Sequence, residues 1–189
     1  MRRIRVKRGA VARAKRIKLL IMDVDGVLTD GRMVLTEGGD ELKCFHSHDG
    51  MGINLAKRAG LGIAFATSET NRIVPARAKK LGVDDVFLGA RRKGDILEEI
   101  AAKHGFTARE CAFIGDDLLD IPALRRAGLA VAVANAVPEV KRLAHVVTGA
   151  AGGQGAVREA IEWILKAKGL WRATVGDYIA EHGGRGLRT

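Results

Sequence analysis

In the stretch LLIMDVDGVLTDG, two acids spaced two apart, Asp23 and Asp25, stand directly after the apolar run Leu19 to Met22. An unpaired carboxylate is costly to bury, so a strand that ends in two of them calls for a compensating partner. Comparable groups recur downstream. Thr67 and Ser68 close the run GIAFAT, Lys93 stands just beyond DVFLG, and CAFIG runs into GDDLLD with Asp116, Asp117 and Asp120. Strand ends of a parallel sheet converge on one crevice, where carboxylates, a hydroxyl and an ammonium would meet. The acids alone would repel one another. A hard divalent cation compensates them, and Mg²⁺ suits the set because it prefers oxygen ligands and keeps positions open for waters and phosphate oxygens. Taken singly, each group has a plainer reading: a DxD pair in a turn, Thr67 or Asp116 as a helix cap, Lys93 as a solvated lysine.

Positioning such a set requires a particular scaffold. Apolar runs of strand length recur at 17–22, 62–67, 85–89, 111–115, 129–133 and 145–148, and amphipathic stretches near 51–59, 70–81, 93–104, 118–127, 137–143 and 154–168 lie between them. This alternation predicts an α/β fold, a doubly wound parallel sheet with crossover helices. One segment breaks the rhythm. Residues 31–50, GRMVLTEGGDELKCFHSHDG, alternate apolar and polar around a glycine turn, which predicts a β-hairpin at the carboxyl edge of the sheet. His46 and His48 would then share one strand face. Two histidines without a third ligand do not make a zinc site, so a substrate-facing or interface role is expected for them.

The ordered set DxDGVLT, strand-end Thr, Lys and GDDxxD resembles the haloacid dehalogenase superfamily from about Lys18 to Glu159. The resemblance implies that Asp23 is the nucleophile that becomes an aspartyl phosphate, and that Asp25 is the general acid and then base. It implies that Thr67, Ser68 and Lys93 hold phosphate, and that Asp23, Asp25 (through its carbonyl) and Asp116 hold Mg²⁺, with Asp117 and Asp120 supporting. The gaps between these motifs leave no room for a cap domain. Capless members with DVDGVLTDG, a hairpin ending in FHSHDGMGI and a later GGQGAVRE are similar to the phosphatases of 3-deoxy-D-manno-octulosonate 8-phosphate and of nonulosonate 9-phosphates. What that likeness implies is a small sugar-acid phosphate substrate in cell-surface sugar synthesis. It also implies a homotetramer in which a neighbour's hairpin and C-terminal tail cover the active site, the tail bending at Gly183-Gly184.

Two substrate lengths stay open. Where the octulosonate enzymes typically show Thr-Gly-Arg, this chain has Thr67-Ser68-Glu69, and Glu69 with Lys80 resembles the pattern of nine-carbon relatives. On one helix those two residues would fall on nearly one face. His48 and Gln154 stand where basic residues are common, leaving Arg72, Arg77 and Arg158 as partners for a substrate carboxylate. His48, Asp49, Glu69, Arg72 and Lys80 are the candidate substrate contacts.

The chain has 189 residues, 47% of them hydrophobic, enough for one compact domain. Its net charge of +10 is concentrated: residues 1–18 hold nine Lys or Arg and no acid, and the remainder carries 23 basic against 22 acidic residues. Residues 1–16 are therefore expected to form a solvated basic arm, 17–170 the phosphatase domain, and 171–189 a C-terminal tail. With only 4% aromatic residues there is little to stack bases, which argues against nucleic acid as the partner. No apolar run approaches the roughly 20 residues that cross a bilayer, and no signal peptide precedes the domain, so a cytoplasmic protein is expected. Cys44 and Cys111 have no CxxC spacing and are expected as buried free thiols. Receiver domains also gather acids, a hydroxyl and a lysine around Mg²⁺, but DVFLG offers no Asp at its end, where a receiver carries its phosphoacceptor. A phosphomutase shares DxDG but needs a cap. A third class, a binding module tethered to nucleic acid with inert carboxylates, predicts no turnover.

Overall fold

A computed structural model describes residues 3–184. Its central sheet is built from β1 (Arg5–Val6), β2 (Leu19–Met22), β5 (Gly62–Ala66), β6 (Asp85–Phe87), β7 (Cys111–Gly115), β8 (Leu129–Ala132) and β9 (Val146–Val147). The strand order is β1-β9-β8-β7-β2-β5-β6, parallel throughout except for the antiparallel pair β1–β9. Every residue of β2, β7 and β8 is buried. Strands covered on both faces have no reason to alternate, which is why the sequence shows them as continuous apolar runs.

Helices α2 (Ser47–Arg58) and α3 (Ile73–Leu81) connect β2 to β5 and β5 to β6. Helix α4 (Lys93–Lys103) then returns the chain to β7 on the other side of β2, and α5 (Ile121–Arg126) and α6 (Pro138–Leu143) carry it outward to β8 and β9. The winding reverses between β2 and β7, and a crevice opens at the carboxyl ends of strands where it does so. The register pairs Met22 with Ile114, so Asp23 and the GDD loop leave the sheet side by side.

Strands β3 (Val34–Leu35) and β4 (Glu41–Leu42) form a separate two-stranded antiparallel sheet closed by a turn over 36–40. The hairpin is present but short. Ser47 already begins α2 with His46 as its cap, whose ring Nδ1 accepts from the His48 amide at 3.2 Å. His46 and His48 are therefore not on a strand; their rings meet edge to face at 4.9 Å.

Two further expectations are corrected. The basic leader is not a solvated arm over its described part: β1 adds to the sheet edge, and α1 (Ala10–Arg16) buries Ala10 and Ala14 completely while Lys15 and Arg16 face solvent. The tail is also structured, because α8 (Trp171–Glu181) follows α7 (Ala156–Ala167) and packs on it and on α2. Gly183-Gly184 lies just beyond α8, and residues 185–189 of the tail lie outside the described residues. Among the cysteines, Cys111 is buried and its thiol is pushed up to about 11 by burial and by Glu110, whereas Cys44 is exposed. No helix among the described residues is long and apolar enough to cross a membrane.

Candidate active site

Asp23 leaves β2 with its amide still in the ladder, donating to the Ile114 carbonyl at 3.0 Å. Its Oδ1 accepts from the Val24 amide at 2.7 Å, and its Oδ2 lies 2.6 Å from Lys93 Nζ. Lys93 is the first residue of α4 and only 2% exposed. It reaches Asp120 Oδ1 at the same 2.6 Å, so one ammonium bridges two buried carboxylates. Burial would lower the Lys93 pKa, but the charges of Asp23 and Asp120 outweigh it and hold the amine protonated. Asp23 is pushed up to about 7, first by burial and then by Asp120, against the pull of Lys93.

Asp116 follows β7. Burial, then the charges of Asp120, Asp23 and Asp117, push its carboxyl up to about 7, and its Oδ1 is buried without a hydrogen-bond partner among the described residues. Asp120 is fully buried and fully committed: Oδ1 takes Lys93, and Oδ2 accepts from the amides of Asp116 at 2.8 Å and Asp117 at 3.2 Å. Asp117 is exposed and accepts from the Leu118 amide at 2.7 Å, capping the 3₁₀ turn Leu118–Asp120 that precedes α5. Both therefore set the loop's shape, as supporting residues would.

Oxygens of Asp23, Asp116 and Asp120 lie within 4.8 Å of one another. Two carboxyls held near 7 and an orphaned Asp116 oxygen mark a donor set lacking positive charge, which a hard divalent cation would supply. Asp120 already accepts three bonds against two on Asp23, and Asp116 keeps an unbonded oxygen, so Asp23 and Asp116 are the side chains that best fit such an ion. Gly26 permits this geometry. Its φ is +80°, and a Cβ there would stand 2.0 Å from Asp116 Oδ2.

Asp25 sits on the same turn and is oriented by a residue that the sequence reading did not single out. Lys43, one residue past β4, has a side chain only 1% exposed and places Nζ 2.6 Å from both Asp25 Oδ1 and Glu41 Oε1. Burial would lower its pKa, but the two carboxylates outweigh this and raise it. Asp25 Oδ2 is buried and has no hydrogen-bond partner among the described residues. Glu41 in turn accepts from Asn71 Nδ2 at 3.2 Å. The available signal was the pair Glu41 and Lys43 at i, i+2, which places opposite charges on one face of a hairpin strand.

Thr67, 1% exposed at the end of β5, accepts from the Glu69 amide through Oγ1 at 3.1 Å, with half-buried Ser68 beside it. The substrate candidates fare unevenly. Asp49 is buried, and its Oδ1 accepts from the Arg158 amide at 2.7 Å, so it ties α2 to the start of α7 instead of facing a ligand. Helix α3 begins only at Ile73, so Glu69 lies in the preceding loop and does not share a helix face with Lys80, which is exposed on the last turn. Arg72 immediately precedes α3 without a capping side-chain bond and His48 lies in the first turn of α2, both exposed. Arg77 stacks over Phe45 at 5.3 Å and Arg158 over Trp171 at 5.1 Å.

Residues 66–161 match the family model of haloacid dehalogenase-like hydrolases. The 3-deoxy-D-manno-octulosonate 8-phosphate phosphatase of Escherichia coli K12 is 38% identical over 174 residues, 92% of this chain and 93% of that one. The chain belongs to the haloacid dehalogenase-like hydrolases, in their 3-deoxy-D-manno-octulosonate 8-phosphate phosphatase family. Among solved structures of this family, the Moraxella catarrhalis phosphatase in complex with magnesium ion, phosphate ion and KDO matches at TM-score 0.87 and 37% identity, over 89% of this chain and 97% of that one. The cobalt-bound Haemophilus influenzae enzyme matches at TM-score 0.82 and 37% identity, over 85% and 94%. The haloacid dehalogenase-like chain is thus an enzyme, a sugar-phosphate phosphatase, on the doubly wound core anticipated from its strand ends.

Proposed function

We propose that this phosphatase is Mg²⁺-dependent and hydrolyses 3-deoxy-D-manno-octulosonate 8-phosphate through an aspartyl phosphate on Asp23. The observation that carries the reading is the convergence of Asp23, Asp116 and Lys93 at adjacent strand ends, with an unsatisfied Asp116 oxygen among them. Asp23 attacks phosphorus in line with the ester oxygen; as the carboxylate–phosphorus bond forms, the bond to the sugar oxygen breaks, and Asp25 donates a proton to that oxygen. Asp25 then takes a proton from a water that attacks the acyl phosphate, which releases phosphate, frees the Asp23 carboxylate and returns Asp25 to its protonated form. Thr67, Ser68 and Lys93 donate to the phosphoryl oxygens, where fixed donors count most as charge spreads in the transition state. Asp23, Asp116 and the Asp25 carbonyl would hold Mg²⁺, which supplies charge neutralisation between nucleophile and phosphoryl group.

His48, Glu69 and Arg72 are the proposed sugar contacts, being exposed or half-buried on segments that follow the hairpin and β5. The homotetramer belongs to the same proposal. Met33, Val34, Leu35 and Leu42 leave apolar surface on both hairpin strands that a neighbouring chain would cover. Phosphate release with Mg²⁺, comparing the eight-carbon substrate with nine-carbon nonulosonate 9-phosphates, tests the assignment. Faster turnover of the eight-carbon substrate is expected. Faster turnover of a nine-carbon substrate would move the enzyme to nonulosonate synthesis, and no release from either would overturn the phosphatase mechanism.

A further inference from the structure

The hairpin does more than expose an apolar face, because its second strand sends a buried ammonium into the catalytic turn. Lys43 Nζ stands 2.6 Å from Asp25 Oδ1 and 2.6 Å from Glu41 Oε1, and Glu41 Oε2 accepts from Asn71 Nδ2 at 3.2 Å. Asn71 Oδ1 in turn accepts from the amides of Ile73 and Val74 at 3.2 and 3.4 Å, which fixes it to the start of α3. A continuous chain of contacts therefore runs from the loop after the phosphate-binding strand end, through the hairpin, to the proposed general acid. Its last link is selective: Lys43 takes one carboxylate oxygen of Asp25 and leaves the other, Oδ2, buried and without a partner.

Among the described residues, the only other side-chain group on Asp25 is the Thr29 hydroxyl, 3.4 Å from Oδ1, at the long end for a hydrogen bond. That single O–H is shared with the Val24 carbonyl at 3.5 Å, while the lone pairs of Oγ1 accept from the Gly26 and Gly31 amides at 3.3 and 3.2 Å. Without Lys43, rotation of the Asp25 carboxyl would be only weakly restrained, and Oδ1 and Oδ2 could exchange places. A general acid has to present one oxygen within about 2.6 to 3.2 Å of the atom that it protonates, so restraint on this rotation bears directly on proton transfer.

We infer that Lys43 is a positioning residue that holds Asp25 with Oδ2 toward the leaving oxygen, and that Glu41 and Asn71 hold Lys43 in turn. The inference rests on the proposed role of Asp25 as general acid. It sets an identifiable signature apart from a merely structural role: a poor leaving group, such as a sugar alkoxide, needs the proton, whereas p-nitrophenolate leaves without one.

The experiment compares the sugar 8-phosphate with p-nitrophenyl phosphate in the full chain with Mg²⁺, using Lys43→Met, Lys43→Arg, Glu41→Gln and Asp25→Asn. Asp25 also acts as base on the aspartyl phosphate, a step common to both substrates, so the readout is the single-turnover rate of aspartyl-phosphate formation, followed by release of the sugar or of p-nitrophenolate. For Lys43→Met this rate should fall roughly tenfold to a hundredfold on the sugar phosphate, part of the 10² to 10⁴ that general acid catalysis supplies. On p-nitrophenyl phosphate it should stay within about threefold. Lys43→Arg should recover part of the loss, and Glu41→Gln should show a smaller loss of the same selectivity. Equal losses of this rate on both substrates, or an unchanged rate with weaker substrate binding, would make Lys43 a structural or substrate-binding residue and overturn the inference. Asp25→Asn separates the two readings. If it slows this step selectively on the sugar phosphate while Lys43→Met does not, positioning by Lys43 fails alone; if Asp25→Asn shows no leaving-group selectivity in this step, the general-acid assignment fails and the inference with it.

Discussion

Lys93 joins two carboxylates at 2.6 Å each in a region where all three groups are nearly sealed from water. Removing one member of such a set leaves buried charge without compensation, which typically costs about 3 to 5 kcal/mol. Lys93→Met is therefore expected to lower stability by about 3 kcal/mol, read from urea midpoints, and Mg²⁺ should restore part of it by binding only the native state. A midpoint unchanged without Mg²⁺ would show that Asp23 and Asp120 need no cation to stay folded. Asp23→Asn works in the opposite direction. Burial and Asp120 push the Asp23 carboxyl up to about 7, so a neutral side chain of the same shape relieves repulsion while it removes the nucleophile. Phosphate release should fall below detection with the melting temperature within a few degrees of wild type; turnover within tenfold of wild type would sink the proposed chemistry. These acids were legible in the sequence because each sits at the end of an uninterrupted apolar run, and run length alone fixes where a buried parallel strand must stop. Lys43 was not legible in the same way. It belongs to a two-residue strand region with no apolar run, and its partner Asp25 is 18 residues away, brought near only by the hairpin's return.

Short elements are where the reading from sequence was least complete, and β1 with α1 shows why. The strand has two residues, and the helix buries only Ala10 and Ala14, so neither produces a periodic apolar pattern; the nine basic residues dominate instead. Lysine and arginine tolerate this because their charged ends stay in water while the helix presses small side chains inward. Truncation before Ile17 is accordingly expected to strip the β1–β9 pairing and uncover the core beneath Ala10 and Ala14. It should lower the melting temperature by several degrees, where a solvated leader would leave it unchanged. The Glu69 and Lys80 relation fails for a related reason: the amphipathic pattern extends back to residue 70, but Asn71 caps the helix through the Ile73 and Val74 amides, so the loop keeps Glu69 off its faces. The far side of the sheet offers a pH test. Asp85, which opens β6, pairs with Lys103 and, at 2.6 Å, with His104 at the end of α4. Burial raises its pKa, but the hydrogen bonds and charges of Lys103 and His104 outweigh this and lower it. A carboxyl whose folded pKa lies below its unfolded value contributes stability above the unfolded value, near 4, and loses it as pH falls through the folded one. Asp85→Asn should thus lower the urea midpoint at pH 5, with the gap to wild type closing below about pH 4. A gap that persists undiminished at pH 3 would mean that packing, not charge, is what Asp85 supplies.

At the scale of the whole molecule, the sheet and its helices bury one continuous core, but the hairpin stands outside it. A two-stranded hairpin is marginal in water by itself. This one is tethered to the domain by Lys43 and by the Asn71 contact while presenting Met33, Val34, Leu35 and Leu42 at 57%, 47%, 67% and 54% exposure. Four large apolar side chains on so short an element contribute nothing to a monomer and invite a partner, and the partner available in every solution of the protein is another copy of itself. The net charge of +10 does not oppose this, because the excess lies on the β1–α1 segment and the hairpin strands carry little charge of their own. On the proposed homotetramer, light scattering at micromolar concentration should give the mass of four chains. Leu35→Asp combined with Leu42→Asp should reduce it toward one chain, since burying two carboxylates at a contact without partners costs several kcal/mol per interface. If the neighbour's hairpin also covers the catalytic crevice, kcat/KM of the dissociated variant should fall together with its mass across a dilution series of partly dissociated protein. A native protein that already runs as one chain, with full activity, would refute both the assembly and the shared site. A tetramer that survives the double substitution would place the contact on another face, with α8 the next surface to probe.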